Sequence, residues 1–231
     1  MTRASRAIRV LLLEWPGMVA WIWGVTLLAF GISVGIYAFL SDEARASSQT
    51  FGLSALLIVW FVLQTQLVTD RFPFAVGFGL TRHEFFRAVS ILIAGQAAVY
   101  GVAIAGLARV EDATTGWGVA LEFFRPAGLD TGNVAGDAAA WTVVFAGAGA
   151  LAVVSASIHM RWGVRGLFAT AAGVLAVGGL TAIAVTAADQ WGEVAGWLGD
   201  QSALFLMTML PAPFVVALAA AGYATMRRMV P

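Results

Sequence analysis

Residues 88–108 read AVSILIAGQAAVYGVAIAGLA, with no charged side chain between Arg87 and Arg109. About 20 apolar residues in a helix cross the ~30 Å hydrocarbon layer of a bilayer, so this stretch is long enough to span. It is apolar on every side, whereas a barrel strand would be short and alternating. Working outward, the same reading between charges gives five further runs: 15–41, 46–69, 138–158 (ended by His159), 166–188 and 201–226. The hydrophobic cores assigned within the six are 18–40, 52–69, 88–108, 139–158, 166–187 and 203–223. The expected fold is all-α, a polytopic membrane protein of six transmembrane helices forming one transmembrane domain over residues 1–231.

Composition agrees. Of 231 residues 60% are hydrophobic and 11% charged, against about 25% charged in a soluble domain. A water-soluble chain of this length could not hide so much apolar surface. The formal net charge is zero, which gives no basic footprint for nucleic acid. Cysteine is absent, which excludes thiol catalysis, disulfides and Cys-ligated metal. All 13 basic residues are arginine, a pattern we assign to coding bias. Small residues recur at helical spacing, as in Gly31 and Gly35, and again in Ala97, Gly101 and Ala105. Such spacing lets helix backbones approach closely in lipid. The first run has a basic start and the triplet Ala44-Arg45-Ala46, but it exceeds the roughly 7–15 residues of a signal-peptide core. It is therefore expected to remain as the first span, with Trp15 and Pro16 at an interfacial bend.

Six spans would place the termini on one side, together with the connections near 70–87 and 159–165. That side carries Arg3, Arg6, Arg9, Arg71, Arg82, Arg87, Arg161, Arg165, Arg227 and Arg228. The other side has only Arg45, Arg109 and Arg125 but most of the acids: Asp42, Glu43, Glu111, Asp112, Glu122, Asp130, Asp137, Asp189, Glu193 and Asp200. The positive-inside rule puts the arginine-rich side in the cytoplasm. The expected location is the inner (plasma) membrane, with both termini cytoplasmic and residues 109–138 forming an extracellular loop.

The cores contain no Asp, Glu, Arg or Lys, the residues that mark ion pathways in carriers and pumps. That argues against a secondary carrier or membrane enzyme. Gln64, Gln66, Gln96 and Ser155 are the candidate pathway polar residues, with Thr65 and Ser157 beside them; helix-to-helix hydrogen bonding is the simpler role for each. His83 and His159 stand apart, so no metal set is expected. There is no Gly-x-Ser-x-Gly elbow, and a phosphate loop would need a lysine the chain lacks. No catalytic residue, metal or cofactor is assigned to this chain.

Residues 69–87 read TDRFPFAVGFGLTRHEFFR. Pro73, Gly77 and Gly79 are expected to break any helix through the segment. Thr81 is expected to cap a short helix holding Glu84, Phe85 and Phe86, with the acid three residues in as in a capping box. Aromatics beside arginines suit a protein interface, or equally a turn whose rings lie in the headgroups. On the far side, Trp117, Leu121, Phe123 and Phe124 within 110–138 suggest a short helix lying on the outer membrane surface, with an extracellular gate lid as the functional alternative.

Gly79-Leu80-Thr81-Arg82-His83-Glu84-Phe85-Phe86 resembles the Gly-x-Ser/Thr-Arg-x-x-Phe-Phe signature of permeases of type-2 ATP-binding-cassette (ABC) exporters. Phe72-Pro73-Phe74-Ala75 and Glu111-Asp112-Ala113-Thr114-Thr115-Gly116-Trp117-Gly118 are similar to stretches of the small actinobacterial branch. The resemblance implies that 70–87 is a cytoplasmic coupling segment whose short helix, between the second and third spans, docks on a separate ATPase. Phe72, Pro73, Phe74, Gly77, Gly79, Thr81, Arg82, Glu84, Phe85 and Phe86 would form that interface, with Phe85 and Phe86 contributing most and Arg82 reaching an acidic ATPase surface. Residues 3–15 resemble the family's interfacial elbow helix, and their arginine spacing is amphipathic in its own right. The implied partners are the ATPase, which would hold ATP and magnesium, and a second permease copy, identical or homologous. The implied function is ATP-driven export of a small molecule, drug or lipid-like substrate. The rival reading is a non-transport scaffold, immunity or sensor protein of the same topology.

Overall fold

The structure is a computed structural model and describes residues 15–47, 50–125 and 131–227. The elbow segment 3–15, apart from Trp15, lies outside the described residues, as do Pro126, Gly128, Asp130 and Arg228. Among the described residues every regular element is helical. In chain order they are α1 (Trp15–Phe39), α2 (Asp42–Ser47), α3 (Gly52–Gly77), α4 (Arg82–Ala113), α5 (Val134–Ala187), α6 (Trp191–Asp200) and α7 (Ala212–Arg227). A wide turn at Phe205–Met209 leads into α7. Five of these helical stretches are long and apolar enough to cross a membrane.

Two boundaries differ from the sequence reading. α3 continues through Pro73 to Gly77. Proline removes one backbone donor and crowds the preceding turn, but the flanking hydrogen bonds hold the helix for one more turn. α5 has 54 residues and joins the fourth and fifth hydrophobic cores without a loop. At about 1.5 Å per residue it would measure about 81 Å if straight, far more than one bilayer. It is divided at Gly163, whose φ of 64° and ψ of −161° are not helical. That region of backbone space is open essentially to glycine alone. Near the end of the chain Leu210 N–H donates to the Phe205 carbonyl at 3.0 Å, an i→i−5 bond. Pro211 follows and has no N–H to continue the ladder, which accounts for the widened turn.

Close approaches set the packing. A Cβ at Gly101 would strike the Ala138 carbonyl and Thr142, and one at Gly149 would strike Ile93. These contacts run α4 antiparallel to the first half of α5. The expected small face of α4 is realised, with Ala97, Gly101 and Ala105 all buried. Among the described residues nothing approaches Gly31 or Gly35 closely. α3 is antiparallel to α4, through Trp60 on Tyr100 and Phe72 on Phe85. α7 runs in the same sense as the first half of α5, since Gly147 faces Val215 and Gly222 faces Val153.

Two apolar cores lie along the bundle. One gathers Leu56, Trp60, Tyr100, Ile104, Trp141 and Phe145 with Ile22 of α1. The other gathers Val68, Phe72, Phe85, Val89, Val153 and Met226. The second core lies toward the arginine-rich end, where Arg82 donates to the Arg227 carbonyl at 3.2 Å. The opposite end holds Arg109, Glu111, Asp112, Arg125 and Asp137, joined in a polar network.

Candidate functional site

The tip of the α3–α4 hairpin is built by local backbone chemistry. Gly79 has φ of 81°. Its N–H donates to the Val76 carbonyl at 2.9 Å, and Leu80 N–H donates to Ala75 at 3.0 Å. This is a Schellman closure with glycine at the left-handed position. Two residues later Thr81 Oγ1 accepts from Glu84 N–H at 3.2 Å, while Glu84 Oε2 accepts from Thr81 N–H at 2.9 Å. The expected capping box is therefore formed. It opens the 32-residue helix α4 rather than a short helix of its own, and no separate coupling helix lies between Gly77 and Arg82. Four residues suffice to stop one helix and start the next.

The sequence-predicted interface divides accordingly. Phe85 is 1% exposed and packs edge-on against Phe72, ring centroids 5.3 Å apart. Both belong to the chain's own core, because the first turn of α4 faces the end of α3. Phe85 is thus no surface anchor. Phe86 is half-buried against Tyr223 of α7. The Arg82 guanidinium is engaged with the last turn of α7, where a cation complements the helix dipole. Exposed at the tip are Pro73, Gly77, Gly79 and Thr81, with Phe74 at 67% and Phe78 at 83%. Phe78 was not among the predicted contacts. Its i, i+4 spacing from Phe74 places both rings on one face, and that spacing was its only sequence signal.

The candidate pathway residues also part company. Gln64 is buried and its Nε2 donates to Gln96 Oε1 at 2.7 Å, linking α3 to α4. One turn away Tyr100 contacts Trp23, Trp60 and Phe145, and Trp60 Nε1 donates to the Phe145 carbonyl at 3.2 Å. Ser155 is half-buried and Gln66 exposed. Gln66 lines an open groove of about 450 Å³ between α1 and α3 with Met18, Trp21, Leu67 and Asp70. Among the described residues no three His, Asp or Glu side chains gather as they would around a metal ion.

The acidic end holds the most elaborate polar site, and Glu111 is its centre. Glu111 is 2% exposed. Its carboxylate accepts from Trp117 Nε1 at 2.8 Å, Phe123 N–H at 2.9 Å, Phe124 N–H at 3.1 Å and Arg125 N–H at 3.2 Å. Three successive backbone donors converging on an anion form a nest. Beside it Arg109 pairs with Asp137 at 3.1 Å, Arg125 with Asp112, and Asp137 accepts from the backbone and hydroxyl of Thr131 at 2.9 Å. The chain between Glu111 and this nest makes a left-handed turn at Gly116–Ala120. Leu121, Phe123 and Phe124 then fold inward and are buried. Phe30 of α1 meets Trp117, Phe123 and Phe124 at centroid distances of 5.0, 5.3 and 5.7 Å.

The expected helix on the outer membrane surface is therefore replaced by a cap tucked into the bundle. The sequence flagged its aromatics but not Glu111 as their anchor. Its partners are mainly main-chain groups 12–14 residues away, which leave no side-chain pattern to read. No protein-family model matches this chain. Neither a curated protein nor a solved structure matches it.

Proposed function

We propose that the chain is the transmembrane permease subunit of an ABC exporter, crossing the plasma membrane six times with both termini in the cytoplasm. Six crossings are supported by the common sense of α7 and the first half of α5. A chain that leaves the arginine-rich end at Gly163 must return to the acidic end before α7 can begin, and residues 164–187 are long enough to do so. The arginine clustering orients that end toward the cytoplasm.

The observation that carries the reading is the exposed aromatic face Phe74–Phe78 at the cytoplasmic tip of the α3–α4 hairpin. Aromatic anchors of this kind concentrate binding energy at protein interfaces. In the proposal this face docks on a separate ATPase, and two permease chains, identical or homologous, complete the transporter. The described helices of one bundle pack around two apolar cores, and in the proposal the pathway runs between two copies. ATP binding on the ATPase pair would move the two hairpins and shift the bundles between two states, each ligand biasing one of them. Export and a small-molecule, drug or lipid-like substrate follow from the signature resemblance.

The test is retention of the genomically adjacent ATPase on affinity-captured permease, normalised to permease in the membrane. Phe74→Ala with Phe78→Ala should reduce retention about thirtyfold, the equivalent of ~2 kcal/mol. Full retention by the double variant would remove the docking face. A second reading, a non-transport scaffold or sensor subunit, is favoured by a specific fact: Gly79, Thr81, Glu84 and Phe85 all have structural work within the hairpin. Failure of any ATPase to co-purify with the native chain would put that reading first.

A further inference from the structure

The turn over residues 115–120 is wound against the normal preference of L-amino acids. Thr115, Trp117 and Ala120 have φ of 51°, 60° and 54°, and Gly116 and Gly118 have 68° and 77°. Non-glycine residues visit this region as isolated exceptions, so three within six positions persist only where surroundings over-determine them. Two sets of contacts do that here. One is the Glu111 carboxylate, which gathers Trp117 Nε1 and the backbone N–H groups of 123–125. The other is the aromatic seat on Phe30, with Phe123 lying directly over Gly52, where a Cβ would strike its ring.

The cap also touches three of the long helices. It is continuous with α4, lies over the start of α3, and reaches across to α1 through Phe30. Leu27, Leu28, Ile32 and Ile36 of α1 face away from the bundle and are exposed. A strained segment held mainly through one buried carboxylate and an aromatic seat, and lying over the core between α1 and α3, is built as a device with a second position.

We propose that residues 115–125 are a spring-loaded lid over the acidic end of the core between α1 and α3, and that Glu111 is its catch. Release of the carboxylate from the nest lets the turn relax to ordinary backbone conformations, withdraws Phe123 and Phe124 from Phe30, and opens that core to water. Glu111 acts here as a positioning residue. The inference stands on the acidic-end geometry alone and does not depend on an ATPase docking at the other end.

The chain contains no cysteine, so single thiols report cleanly. Leu53→Cys places a thiol in the core beneath the lid, and Val89→Cys places one in the opposite core, where the native residue is fully buried. In the detergent-purified full chain, N-ethylmaleimide should label Leu53→Cys slowly but to completion while Val89→Cys stays unlabelled. Adding Glu111→Ala should accelerate labelling at 53 at least tenfold and leave 89 unchanged. Trp117→Phe, which keeps a ring but loses one donor to the carboxylate, should accelerate it by a smaller factor, and it carries the measurement if Glu111→Ala does not accumulate. Unchanged labelling at 53 in both backgrounds would overturn the lid. So would equal acceleration at 53 and 89, which marks general loosening, and so would a native Leu53→Cys as inert as Val89→Cys.

Discussion

At the residue scale, Phe85 and Glu111 show how differently a side chain can be committed. Phe85 fills the contact between the end of α3 and the start of α4. Truncating it leaves a cavity the surrounding helices cannot fully close, at about 3 kcal/mol for a buried phenylalanine. Phe85→Ala should therefore lower thermal stability in detergent by several degrees while reducing ATPase retention far less than the Phe74/Phe78 double variant. A retention loss from Phe85→Ala that exceeds its stability loss would return Phe85 to the interface. Gly79 makes a gentler case: its left-handed φ costs a residue with a Cβ about 1–2 kcal/mol, and Gly79→Ala should show that by thermal melting. The glycine-to-phenylalanine signature is thus readable in two ways from the same letters. Its spacing reveals a stop and a start of helix, since Schellman and capping-box positions are local. It cannot reveal that the first turn of α4 points inward, because that depends on where α3 lies.

At the element scale, the hydrophobic runs were legible because lipid imposes a length, and every assigned core falls within or beside a helix. What was not legible is how the chain passes Pro73 and the connection at 159–165. Pro73 weakens α3 without stopping it, and at 159–165 the chain continues helically on both sides of Gly163. The three arginines on the otherwise acidic side are explained by their partners. Arg45 donates to the Tyr37 carbonyl at 2.8 Å at the end of α1, and Arg109 and Arg125 pair with acids. They anchor loops, and the charge asymmetry between the two ends remains. In the six-crossing proposal Gly163 is the residue on which the fifth crossing depends. Its backbone geometry is strained for any other residue by roughly 1–3 kcal/mol, so Gly163→Val should straighten α5 and impair re-entry of residues 164–187. With Glu193→Cys as reporter, labelling of intact cells by a membrane-impermeant maleimide should fall relative to the native Gly163 background. Equal labelling would show that the reversal is set elsewhere.

At the scale of the whole molecule, the two ends are organised for opposite tasks. The arginine-rich end is closed by short local links that leave two phenylalanines on its tip, while the acidic end is closed by a long strained cap held by the Glu111 carboxylate, the Arg125–Asp112 pair and the aromatic seat on Phe30. Between them Gln64 pairs with Gln96, and aromatic side chains pack in the layer above. Residues 164–187 leave Phe168, Val174, Leu175, Val177, Leu180 and Ile183 exposed. Lipid can cover such a face, so exposure alone does not require a partner. The permease reading does require one, because it places the pathway between copies. It makes a definite prediction of stoichiometry: native mass spectrometry of the complex captured from membranes through a tag on this chain should give two permease chains, identical or homologous, and two ATPase chains. Exchange of Phe74 and Phe78 for alanine should leave the permease pair intact while releasing the ATPases, since the two contacts lie on different surfaces. A permease chain captured alone, with neither a second copy nor an ATPase, would remove the half-transporter and leave a single-copy scaffold whose acidic-end lid acts on something other than a transport pathway.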